Sequence, residues 1–124
     1  MKFKIPALFT ISYFLFSGLA ANASISLIKN GSMDFCPGVT INEMVTSYIA
    51  NPRWDSFKAT DGNNYVNIEG QIYYYNQLVD MLLQFRVLNS SRFESHAFTI
   101  EGEPQTDDMI EALLDNMCTE AYYY

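Results

Sequence analysis

The chain has 124 residues, 49 % of them apolar, and carries fourteen acidic against seven basic side chains for a net charge of −7. That length suits one domain of modest core and is too short for two. Lys29, Arg53, Lys58, Arg86 and Arg92 are scattered along an otherwise acidic chain, which excludes the clustered basic footprint of a nucleic-acid binder.

The first element is an export signal. Lys2 and Lys4 precede an uncharged, mostly apolar run from Ile5 to Leu19, and Ala21, Asn22 and Ala23 form an A-x-A cleavage site. Pro6 and Gly18 interrupt the run, which is shorter than the roughly 20 residues a spanning helix needs. Residues 1–23 are therefore expected to be removed. What remains is a single domain, residues 24–124, released to the periplasm or the extracellular space. No cysteine follows the small residues, so no lipid anchor and no membrane attachment after cleavage are expected. The 101 remaining residues hold five basic and fourteen acidic side chains, a charge of −9 with His96 neutral. Such a surface repels phosphate and anionic lipid and favours encounter with a basic protein.

Cys36 and Cys118 are the only cysteines. Export to an oxidising compartment makes a disulfide the expected state, and there is no C-x-x-C to suggest a catalytic thiol.

Thr40 and Glu43 form a capping box for a short amphipathic helix whose apolar residues are Ile41, Met44, Val45, Tyr48 and Ile49. Asn51 and Pro52 are expected to stop it. The period then changes to two, and strands are predicted from Trp54 to Thr60 and from Tyr65 to Tyr75, with a turn over Asp61, Gly62, Asn63 and Asn64. Val66, Ile68, Ile72 and Tyr74 share one face of the second strand, and Gly70 marks a possible bulge. Asn76 and Gln77 turn into a third strand, in which Val79, Met81, Leu83, Phe85 and Val87 face the core. A fourth runs from Phe93 to Ile100. Its alternation is too poor to assign a face to Phe98 or Ile100. Thr106 caps a final helix with Asp107 and Asp108 in its first turn and an apolar stripe of Met109, Ile110, Leu113, Leu114 and Met117. The expected fold is α+β: helix, four-stranded antiparallel meander, helix, with both helices on one sheet face.

Catalytic motifs are sparse. His96 has no nucleophile and carboxylate arranged beside it in sequence, the Asp61 turn has one acid among asparagines and glycine, and no metal-ligand spacing or phosphate loop occurs. No cofactor and no enzyme activity are expected. Asn30 and Asn89 each open an N-x-S acceptor pattern whose meaning depends on the host. Tyr122, Tyr123 and Tyr124 follow the last helix and could either dock or fray.

The sheet face away from the helices is the candidate site. Alternation places Tyr65, Tyr73, Tyr75, Leu82 and Leu88 there, rimmed by Asn67, Glu69, Gln71, Asp80, Gln84 and Arg86. Of these, Tyr65, Tyr73, Tyr75, Leu82, Gln84 and Arg86 are the candidate partner-binding residues. Tyrosine and arginine within a polar rim are enriched at protein interfaces, while the same residues can equally be cross-strand packing.

The stretch Pro52 to Cys118 carries Trp54 with Phe57, Asp61 with Gly62, Gln84 with Phe85, Ile100, Gly102, Pro104 and Gln105 as a corner, and Ile110, Leu113, Leu114 in the closing helix. This set resembles small, uncharacterised exported or membrane-tethered bacterial α+β domains. The resemblance implies an α+β fold in a bacterial envelope and carries over no catalytic residue. Cys36 and Cys118 lie outside the pattern.

The functional expectation is a protein-binding module, one form of it an inhibitor or immunity protein for a cationic enzyme. The alternatives are a small hydrolase built around His96 and a subunit of an envelope assembly, and oligomeric state is left open.

Overall fold

A computed structural model describes residues 22–123. The expected signal segment therefore lies outside the described residues, except for its last two positions. Residues 22–30 are helical and are called α1, so the expected cleavage point falls within helical residues. Two more helices follow, α2 (Ile41–Tyr48) and α3 (Asp107–Tyr122). The strands are β1 (Ala50–Lys58), β2 (Asn64–Tyr74), β3 (Gln77–Asn89), β4 (Arg92–Ile100) and β5 (Glu103–Pro104), all antiparallel, in the order β1-β2-β3-β4-β5.

The α+β class holds, but two helices and four strands were expected, and the described residues form three helices and a five-stranded meander. The extra helix, α1, has one fully buried anchor, Ile28, with Ile25 partly buried beside it. So short an apolar stripe gives little local signal. Strand β5 is two residues long and exists only through pairing with Thr99 and Ile100. Its proline lacks an N–H, which suits an edge position.

Helix α2 begins as the capping box requires. The Thr40 hydroxyl accepts from the Glu43 N–H at 3.1 Å, and the Thr40 N–H donates to Glu43 Oε1 at 2.8 Å. Asn51 and Pro52 do not form a separate stop. The helix ends at Tyr48, and both residues already lie in β1, where Asn51 adopts a positive φ of 52° and the register shifts. The bulge sits in β1 opposite Gly70 rather than at Gly70 itself. A Cβ on Gly70 would lie 2.5 Å from Ile49 Cγ2 and 2.7 Å from the Ala50 carbonyl, so the missing side chain lets the α2–β1 junction press onto β2.

One core unites the layers. Ile28, Ile41, Met44, Val45, Ile110, Leu113, Leu114 and Met117 from the helices pack with Val66, Ile68, Ile72, Met81, Leu83, Phe85, Phe98 and Ile100 from the sheet. Cys36 and Cys118 form a disulfide with a Cα–Cα distance of 6.0 Å, tying the loop before α2 to the last turns of α3. The Tyr122 hydroxyl donates to the Pro37 carbonyl at 2.8 Å, a second tie beside the disulfide. Tyr123 stays exposed.

The irregular pattern of β4 has a local cause. Ala97 pairs with Gln84 and Ser95 with Phe85, which leaves His96 as an extra residue. A bulge of this kind reverses the alternation along a strand. Phe93 and Phe98, of opposite parity, can therefore both pack inward, and Ile100 is buried with them.

Candidate functional site

The outer face is built by register. Reading from the β1–β2 turn toward the β2–β3 turn, the β2–β3 pairs on this face are Tyr65 with Arg86, Asn67 with Gln84, Glu69 with Leu82, Gln71 with Asp80, and Tyr73 with Leu78. By register, Tyr65, Asn67, Glu69, Gln71, Tyr73, Asp80, Leu82, Gln84 and Arg86 share this face, but they do not form one cluster. Two ends of different character are separated by a polar middle.

At the first end, Tyr65 is only 6 % exposed, although its side chain is on the solvent side of the sheet. Its ring is covered by Phe57, stacked at 5.6 Å between centroids, and by His96 at 5.1 Å. Its hydroxyl donates to Asp61 Oδ2 at 2.8 Å. Asp61 Oδ1 also accepts from the Asn63 backbone N–H at 2.9 Å, closing the turn. Together these hydrogen bonds, the Asn63 one first, hold the Asp61 carboxyl below its ordinary range. Beside it Arg86 and Glu94 form an ion pair through Nη2, which raises the Arg86 guanidinium further above its ordinary value. Arg86 is thus paired and half-buried, a support for the turn end. His96 has a structural role as the bulge residue packed on Tyr65.

The Asp61 arrangement makes an acid-side prediction. A carboxyl with a folded pKa below its unfolded value stabilises the fold above the unfolded pKa, and that contribution disappears as pH falls through the folded pKa. Asp61→Asn is therefore expected to lower the thermal midpoint at neutral pH, and the gap to wild type should narrow below about pH 4. Calorimetry across that range checks it; a constant gap would mean that the carboxylate form is not what the turn recognises.

In the middle, Gln84 donates to Asn67 Oδ1 at 2.9 Å and Gln71 to Asp80 Oδ1 at 3.3 Å, while Arg53 and Glu69 pair at 3.2 Å with both side chains largely in water. A shallow cleft of about 270 Å³ opens here, lined by Arg53, Glu69, Asp80, Leu82, Thr99 and Gly102. Its charged side chains are engaged: Arg53 pairs with Glu69, and Asp80 accepts from Gln71. Leu82 is half-buried beneath them.

The second end is the β2–β3 turn. Tyr73 is 75 % and Tyr75 is 85 % exposed, and Leu78 beside them is 47 % exposed. The expected turn at Asn76 and Gln77 sits one residue earlier: Tyr74 pairs with Gln77, and Tyr75 and Asn76 occupy the two turn positions with φ of 51° and 65°. Asparagine tolerates that left-handed conformation, and tyrosine does so at a cost of about 1–2 kcal/mol. Tyr75 packs edge-on against Tyr74 at 4.6 Å. Beneath the turn, on the helix side, an apolar groove of about 80 Å³ opens between Tyr48, Ile72, Tyr74, Met109, Leu113 and Asn116.

Thus Tyr65, Gln84 and Arg86 are engaged with neighbours in the sheet, Leu82 is partly covered, and Tyr73 and Tyr75 stand free with Leu78. Sequence reasoning did not single out Leu78. Its signal was available in its place opposite Tyr73, next to a two-residue turn. Leu88 is exposed near the far end of β3, beside Ser24 and Leu27 of α1.

Among the described residues, no group of three or more His, Cys, Asp or Glu is placed to hold a metal ion, and no helix is long and apolar enough to cross a membrane. No protein-family model, curated protein or solved structure matches the chain. Its own geometry defines the class: a disulfide-tied α+β domain with three helices over one sheet face and an aromatic turn at the end of the other.

Proposed function

We infer that this is an exported protein-binding module, acting in the periplasm or outside the cell, that engages another protein through the β2–β3 end of its outer sheet face. The observation that carries this reading is Tyr75. A large aromatic ring occupies a left-handed turn position that glycine or asparagine would fill with less strain, and it is left almost wholly in water. Strain retained at an exposed aromatic points to a use for the side chain. Tyr73 and Leu78 extend the exposed patch, and exposed aromatic and aliphatic anchors are what protein interfaces bury. The acidic balance of the chain favours a basic partner, as an inhibitor or immunity protein of a cationic enzyme would require.

The test is quantitative capture from periplasmic extract by the disulfide-bonded domain. Tyr73→Ala combined with Tyr75→Asn removes both rings and relieves the turn, so the variant should be at least as stable as wild type at that position. Retention of the specific partner is expected to fall about tenfold or more. Equal retention would remove this end of the face from the interface. Light scattering on the purified domain separates hetero-binding from self-assembly: a stable oligomer that dissociates in the same variant would replace the reading with an assembly subunit.

A further inference from the structure

The apolar groove below the β2–β3 turn opens on the helix side of the sheet, with Tyr73 of the outer face among its lining residues, and lies beside charges of one sign. From Phe93 to Tyr124 the chain carries eight acidic residues and neither lysine nor arginine. Five of them, Asp107, Asp108, Glu111, Asp115 and Glu120, are on α3. Helical spacing puts Asp108 and Asp115 four and three residues from Ala112, which lines the groove, so both flank its mouth. None of the five basic residues after the signal segment lines the groove.

The opening is small. About 80 Å³ accommodates one aliphatic or aromatic side chain in part, well below the roughly 300 Å³ or more of a small-molecule site. Apolar walls from Ile72, Tyr74, Met109 and Leu113 would receive that side chain, and the carboxylates around the mouth would meet positive charge on either side of it. Met109 is unbranched and can adjust to the shape inserted.

We propose that this groove is a docking slot for a basic, amphipathic segment of another protein, which inserts one apolar side chain between α3 and the β2–β3 turn while its lysines or arginines lie along Asp108 and Asp115. The proposal rests on the protein-binding reading above and makes it more specific, because Tyr73 and Tyr75 adjoin the slot and could be covered by the same partner.

Three synthetic peptides probe it with the intact oxidised domain at physiological ionic strength: an amphipathic Lys/Leu helix, the same sequence with Glu for Lys, and one with Ser for Leu. Side-chain NMR of the methionine and leucine methyls and of Asn116 reports the location, and titration reports affinity. Binding of the Lys/Leu peptide alone is expected, with shifts at Met109, Leu113 and Asn116. Ala112→Trp, at an exposed lining position, should block the slot, and Asp108→Lys with Asp115→Lys should reverse the charge at its mouth. Each is expected to weaken binding about tenfold. Equal binding of the Lys/Ser peptide would reduce the effect to charge alone and overturn the slot, as would shifts confined to Leu78 and Leu82 on the outer face. Failure here with continued loss of the native partner in the Tyr73 and Tyr75 variant would overturn the slot and leave the protein-binding function standing; loss of neither would overturn both.

Discussion

Replacing Cys36 and Cys118 together by alanine is expected to lower the unfolding free energy by about 4–5 kcal/mol, the chain-entropy value for a closed loop of 82 residues. For a domain of this size the net stability is of order 5–15 kcal/mol, so the loss would take a large share of it. The bond encloses every strand of the sheet, and both cysteines are in the core, with Cys36 fully buried and Cys118 8 % exposed. Alanine leaves no unpaired polar group behind, which makes it a cleaner probe than serine. Guanidinium denaturation of wild type, the double variant and thiol-reduced wild type measures the effect. The reduced wild type should approach the double variant. A difference below about 1 kcal/mol between oxidised wild type and the variant would show that the helices hold the sheet without the link. Because the same bond secures the last turns of α3, loosening it should also raise the mobility of Met117 and its neighbours.

Phe85→Ala is expected to cost about 3–5 kcal/mol, the range for emptying a buried aromatic site. Among the described residues Phe85 is the largest fully buried side chain, and it lies in the central strand β3, opposite Val66 on β2. Its ring meets Phe93 edge to face at 5.7 Å, so truncation removes that contact as well as apolar burial. The denaturant midpoint should fall with little change in slope, since the surface exposed on unfolding is nearly the same. Phe85 is far along the register from Tyr73 and Tyr75. Where the variant remains folded, partner capture should be retained, and its loss would mean that the aromatic turn depends on packing at the other end of the sheet.

Much of this fold is written locally. The capping box of Thr40 and Glu43, the Thr106 cap, and the alternation of β2 and β3 each depend on residues near in the chain, and each element formed close to its expected limits. The pairing of Cys36 with Cys118 followed from there being only two cysteines and an expected oxidising compartment. In the candidate site, alternation identified the correct face for Tyr65, Tyr73, Leu82, Gln84 and Arg86. It could not identify exposure. Tyr65 and Tyr73 have the same parity on the same strand, yet one is under Phe57 and His96 and the other is in water. Parity is a property of the backbone, and cover is supplied by neighbouring strands.

The remaining differences have the same origin. The parity of β4 depended on a bulge at His96 that arises only when β3 is beside it. Strand β5 exists only as a partner of β4, and α1 only because Ile28 has a core to enter. The sequence by itself determined an acidic α+β chain, its two capped helices, its central hairpin and its single disulfide, because these depend on local periodicity and composition. Only the tertiary structure decided which tyrosines are exposed and where the apolar groove opens, because those depend on segments far apart in the chain meeting in space.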